Sequence, residues 1–282
     1  MSWLRYMTLW SFRKLNPSWK MELFVAGTKE VENYWKGHNK LDFCEYKGED
    51  YFSRLAELDI EIKDCELDNV VYYIEIGPPH LCDMCEWAEL SCDGGIYCDM
   101  DVLWIKSIDS FYEEIQSYDV CITYDSYFSI GLVASSGNNR FFGDVFERSL
   151  DTFTRENYQS AGVVSLYSLA SRRWMREMHM LDLFKILAKQ YSDLSFFNIP
   201  REVVNLQLHD AGDCFNNLHT KLPEGCIGIH WYGGNPVAQE WNNKLNEDNV
   251  HKFGRYGADM TVSYHASKLI KQFALERSSS DT

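Results

Sequence analysis

Basic residues are scarce in this chain of 282 residues. Lys and Arg number 27 against 42 Asp and Glu, leaving a formal net charge of −15. So acidic a protein has no broad basic face for phosphate backbones, which excludes nucleic-acid binding by charge. The same deficit excludes docking on an anionic membrane surface by charge alone. Long apolar runs are missing too, and nothing approaches the length of a membrane-spanning helix. The opening Met1-Ser2-Trp3-Leu4-Arg5-Tyr6 lacks the basic region and unbroken apolar stretch of a secretion signal. There is no internal repeat, and no low-complexity stretch before the polar end of the chain. Nine cysteines cannot all pair with one another, and Cys82-x-x-Cys85 has no second pair at zinc-ribbon spacing. The thiols are therefore expected to be reduced, buried and used as small hydrophobes, in a soluble and reducing compartment such as the cytoplasm.

What is present is globular: 45% hydrophobic and 15% aromatic residues, in a chain long enough for one large domain with a sizeable core. Apolar spacing at Trp3, Leu4, Met7 and Trp10 predicts a helix over residues 2–15, stopped by Asn16-Pro17. Strands are predicted at Trp19 to Val25, Val70 to Ile76, Tyr118 to Tyr124 and Phe128 to Ser135. Helices are predicted at Leu81 to Cys92, Arg140 to Phe153, Ala161 to Met175, Met180 to Tyr191 and Thr261 to Leu275. Residues 28–60 read as helices with loops, Pro200 to Leu208 as extended chain, and Gly225 to Tyr232 as a short apolar segment. Helices alternating with short strands predict a single α/β layered domain over residues 1–275, with a polar, disordered tail at 276–282.

The stretch that organises the rest is Gly94-Gly95-Ile96-Tyr97-Cys98-Asp99-Met100-Asp101-Val102. Strand side chains alternate, so Asp99 and Asp101 would point the same way at the end of an otherwise apolar strand. Two carboxylates there need a counter-charge. A divalent cation with a preference for oxygen ligands supplies it. The plain alternative is a solvated loop, since Asp-x-Asp is short and common. Gly94-Gly95 permits a tight turn and a close approach of backbone to a ligand.

Together, Asp83-x-x-x-Trp87-x-x-Leu90 and Gly94-Gly95-Ile96-Tyr97-x-Asp99-x-Asp101-Val102 resemble the sugar-binding region of the DXD-containing glycosyltransferases. Glycosyltransferase family 32 is the nearest match, with its yeast-type α-mannosyltransferases and α-1,4-transferases. Residues 9–23 resemble that family's early helix followed by Asn-Pro-aromatic, and His230-Trp231 its C-terminal His-x-Trp region. The resemblance implies a GT-A-like mixed central sheet flanked by helices. It implies retaining transfer from a nucleotide-sugar (a UDP-sugar or GDP-mannose) to a glycan or lipid acceptor, with Mn2+ or Mg2+ as cofactor. It implies that Asp99, Asp101 and His230 hold the metal, and that Asp83, Gly94, Gly95, Tyr97, Asp99 and Trp231 contact the donor. It names no catalytic nucleophile. A metal ion fits the chemistry, because the diphosphate leaving group gathers negative charge that an acidic protein cannot offset alone.

Two features depart from the family. Glu86 stands where the family carries arginine, and the apolar first strand with which its members open is not in the chain. Each proposed site residue also has a plainer reading. Asp83 suits a helix N-terminus, His230 a satisfied core histidine, and Trp231, Tyr232 and Trp241 ordinary core aromatics. Two other functions remain open on the sequence. One is a non-catalytic carbohydrate or nucleotide-sugar binding module. The other is a haloacid-dehalogenase-type phosphatase using Asp99-x-Asp101-x, which would need a later lysine and a paired acidic site such as Asp210 and Asp213.

Overall fold

The computed structural model describes residues 1–25, 46–65, 67, 76–170, 182–204, 212–217, 221–253 and 260–280. It is a mixed α/β fold with helices flanking short sheets. Helix α1 (Trp3–Leu15) starts where Ser2 accepts the Arg5 amide, and ends at Asn16, ahead of Pro17. Strands β1 (Glu22–Val25) and β2 (Glu61–Asp64) pair in parallel. Helix α2 (Pro78–Cys92) begins earlier than the sequence suggested, because Pro78 and Pro79 occupy the first turn, where their missing amide costs nothing. The predicted strand at 70–76 and much of the 28–60 stretch lie outside the described residues.

Strands β3 (Gly95–Cys98), β5 (Val120–Asp125), β6 (Tyr127–Ser135) and β7 (Phe196–Asn198) form one sheet in the order β3-β6-β5-β7. Strands β4 (Val102–Trp104) and β8 (Gly228–His230) form a separate antiparallel pair. Among the described residues the strands fall into three hydrogen-bonded pieces, of which the four-stranded one is mixed, as expected of the central sheet. Helices α3 (Asp109–Ile115), α4 (Arg140–Thr152), α5 (Val163–Ala170), α6 (Leu183–Gln190), α7 (Asp213–Asn216), α8 (Pro236–Lys244), α9 (Val250–Phe253) and α10 (Thr261–Ser280) complete the described elements. Helix α10 runs beyond Leu275 to Ser280, where a disordered tail was expected. After Pro200 the chain makes a 3-10 turn at Arg201–Val203 instead of continuing extended.

Trp87, Phe141, Phe142 and Leu166 are fully buried beneath α2, α4 and α5, while Val102, Trp104, Leu132 and Ile227 fill the space around β4 and α3. A third core joins α1 to α7, α8 and α10 through Trp3, Leu4, Phe215, Trp231, Ala238 and Val262. The expectation of uniformly reduced, buried thiols is corrected: Cys65 and Cys85 form a disulfide. Residue 65 follows β2 and lies against α2, with the Cα atoms 6.2 Å apart, a separation that a bridge spans. Cys82 and Cys92 are exposed, whereas Cys121, Cys214 and Cys226 are buried as small hydrophobes. Among the described residues, no helix is long and apolar enough to cross a membrane.

Candidate metal centre

Asp99 and Asp101 do not sit on a strand face as their spacing suggested. Strand β3 ends at Cys98, β4 begins at Val102, and the two carboxylates occupy the turn between them. Convergence comes from pairing at a distance: β8 lies antiparallel to β4 with His230 opposite Val102. The Trp231 amide then donates to the Asp101 carbonyl at 2.9 Å, carrying the pairing into the turn. One ligand atom from each of Asp99, Asp101 and His230 lies within 4.8 Å of the others. His230 Nε2 stands 3.0 Å from Asp101 Oδ1 and 4.0 Å from Asp99 Oδ2.

The carboxylates are held from several sides. Tyr97 donates its hydroxyl to Asp99 Oδ1 at 2.9 Å, and the Gly233 amide donates to Asp101 Oδ2 at 2.6 Å. The Tyr232 ring stacks on the His230 imidazole at 4.2 Å. Burial and then the neighbouring Asp101 charge push Asp99 up to about 6, against weaker pulls from His230, Tyr97 and Arg5. Burial would raise Asp101 as well, but the His230 charge and hydrogen bond and the Gly233 amide hold it below the usual carboxylate range. His230 is raised: burial would lower it, and the charge and hydrogen bond of Asp101 outweigh that. Two carboxylates and an imidazole could hold a metal ion, provided that His230 is neutral.

Residues that the motif did not flag make this convergence possible. A Cβ on Gly131 of β6 would stand 3.0 Å from His230 Cε1 and 3.1 Å from Asp99 Oδ2, so a larger residue would press into the cluster. A glycine inside a strand marks such close approaches, and that was the available signal. Tyr232 adopts φ +52°, which turns the chain so that the Gly233 amide reaches Asp101. Arg201 bonds Tyr232 and lies over the Tyr127 ring at 4.9 Å, bringing positive charge to this side of the cluster.

The remaining predicted positions divide. Asp83, on α2, is close enough to Asp99 to feel its charge; burial first and Asp99 second push it well above the usual carboxylate range. It packs on Gly162, whose Cβ would fall 2.7 Å from Asp83 Oδ2. Gly94 and Gly95 have φ of +72° and +108°. A Cβ on Gly94 would meet the backbone of Gly137 and Ser135, so the close approach at this turn is to backbone. Trp231 goes to the core: it is 1% exposed and packs edge-on against Phe215, so its ring offers no face to a donor. Trp241 packs partly buried against the same core. Glu86 is 3% exposed and neither carboxylate oxygen has a hydrogen-bond partner. Asp210 lies outside the described residues, and Asp213 is tied to Asn217 through its side chain.

No family model matches the chain, and no curated protein matches it. A solved structure titled "PaToxG Glycosyltransferase" is similar to it at 12% identity with a TM-score of 0.38, over 86% of this chain and 80% of that one. At that likeness the reading of the site rests on its own residues.

Proposed function

We propose that this protein is a metal-dependent retaining glycosyltransferase with a GT-A-like domain akin to family 32. It takes a sugar from a UDP-sugar or GDP-mannose and passes it to a glycan or lipid acceptor. The observation that carries this reading is the convergence of Asp99, Asp101 and His230 from one turn and a distant strand. Two carboxylates and a histidine gathered against strand pairing are what a divalent ion needs. Bound there, Mn2+ or Mg2+ would offset the charge that builds on a departing diphosphate.

The chain's own residues supply position. Tyr97 fixes the rotamer of Asp99, and the Gly233 amide that of Asp101. The Tyr232 ring holds the imidazole plane of His230. In this reading Asp83, near enough to Asp99 to feel its charge, meets the donor-sugar hydroxyls. Gly131 keeps its wall of the site free of side chain. Aligning donor and acceptor in this way lowers the barrier without a protein nucleophile.

Hydrolysis of UDP-glucose or GDP-mannose, followed with and without Mn2+, tests the proposal. Turnover should require the ion and vanish in Asp101→Asn; turnover that survives chelation would overturn it. The partnerless Glu86 favours one second reading, a module that binds a nucleotide-sugar without transferring it. Melting temperature raised by donor plus Mn2+, with no product formed, would establish that reading instead. No specific observation favours the phosphatase reading, and it is not proposed.

A further inference from the structure

Between β1 and β3 lies a cavity of about 490 Å³, and its walls have the plan of a missing strand. Consecutive residues 20–24 line one side and consecutive residues 94–98 the other. Alternate side chains of a strand point opposite ways, so an unbroken run of lining residues presents the edge of the strand with its peptide groups. Strand β1 is paired on one side with β2, and β3 with β6, and the facing edges of the two have no strand partner among the described residues. Leu9 and Phe12 of α1 and Cys85 and Leu90 of α2 supply further, largely apolar walls. A segment enclosed in this way must be apolar on both faces, like a central strand.

Charge narrows the occupant further. Among the described residues, the lining acids are Glu22, Glu86, Glu89 and Asp93, and the one lining base is Lys20. Lys20 is already engaged by Glu22 and Glu61. Glu86 lines the cavity 3% exposed, with both oxygens unpartnered. A buried carboxylate without partners is matched by a cation that arrives with the occupant.

We propose that this cavity is a docking slot for an extended segment of another polypeptide. The segment adds a strand between β1 and β3 and places one Lys or Arg against Glu86. Main-chain hydrogen bonds to the two edges provide the affinity, and the pocket around Glu86 provides the selectivity. The slot does not depend on the glycosyltransferase reading, and no metal or nucleotide is needed to test it.

The test uses the full chain and a labelled peptide, Lys-Val-Ile-Arg-Val-Ile-Lys, read by fluorescence anisotropy. Saturable binding is expected. Replacing the central Arg with Glu, or the following Val with Pro to remove a main-chain donor, should each weaken it about tenfold. Glu86→Gln should weaken the Arg peptide by a similar factor and leave the Glu peptide unchanged. Amide exchange at residues 22–25 and 95–98 should slow when the Arg peptide is bound. Absence of saturable binding would overturn the slot. So would a Pro peptide of the same charge that binds equally well, since attraction to an acidic surface would then suffice. Protection confined to other strands would overturn it too. If Glu86→Gln fails to fold, the peptide series on the unaltered protein still decides.

Discussion

Two pairs of acids lie within electrostatic reach of one another, and they are treated differently. Asp99 and Asp101 are surrounded by donors: a tyrosine hydroxyl, a backbone amide and a histidine reach them from β3, the chain after β8, and β8 itself. Asp83 and Glu86, one turn apart on α2, are pushed up by burial and by the other acids. No cation is among the causes of either shift. A buried carboxylate surrounded by donors is positioned, and one without them is costly. The first pair is oriented by the chain for an ion, whereas neither oxygen of Glu86 has a hydrogen-bond partner among the described residues.

Breaking the oriented pair should give the largest effect. Asp101→Asn should lower Mn2+-dependent donor turnover by about a hundredfold or more while the circular dichroism spectrum is retained. Gly131→Val attacks the same pair through its wall. The added side chain pushes on His230 and Asp99, so Mn2+ affinity measured by calorimetry should fall about tenfold.

The pair on α2 should respond in the opposite sense. Glu86→Gln removes a buried, partnerless acid and should stabilise the fold by about 2 kcal/mol in urea titrations near neutral pH. The folded-state pKa of Glu86 is raised, so its contribution is most favourable below the ordinary glutamate pKa and is lost as pH rises. The advantage of Gln over Glu should therefore be small in acid and grow toward neutral pH. An advantage that shrank instead would mean that Glu86 has a partner.

Asp119 provides the smallest contrast, an acid satisfied at the surface. It accepts from the Ser195 amide at 2.8 Å and the Ser195 hydroxyl at 2.7 Å, and these bonds hold it below the usual carboxylate range. Its stabilisation is present above the ordinary aspartate pKa and is lost as pH falls through the lowered one. Asp119→Asn should cost about 1 kcal/mol at neutral pH, discounted for its solvent access, and should flatten the acid limb of the stability curve.

Local chemistry was legible in the sequence wherever one residue type settles the backbone. Asn16-Pro17 ended α1, the apolar alternation gave β5 and β6 to within a few residues, and Gly94-Gly95 marked positive-φ positions. Asn235-Pro236 carries an equally good helix start, with the Asn235 side chain accepting the Val237 amide, yet α8 was missed inside a polar stretch. The site was half legible. Asp99, Asp101 and His230 could be named, but the reason they meet could not. Strand alternation would have aligned the two aspartates, whereas a turn and the β4–β8 pairing bring all three together. Trp231 was misplaced because an aromatic beside a site residue reads the same whether it faces a ligand or the core. The Cys65–Cys85 bond was invisible because pairing depends on where β2 sits against α2, which no spacing encodes.

The β4–β8 pairing also bears on when the site comes into being. Gly233 and Asp101 are 132 positions apart in sequence, so this end of the site closes one of the longest loops in the chain. Loop closure of that kind is among the slow events of folding. A chain emerging from the ribosome would carry its two aspartates long before the histidine and the glycine amide that orient them. An ion held by these residues would therefore bind only the completed fold, and would act as a latch on contacts made across that long loop.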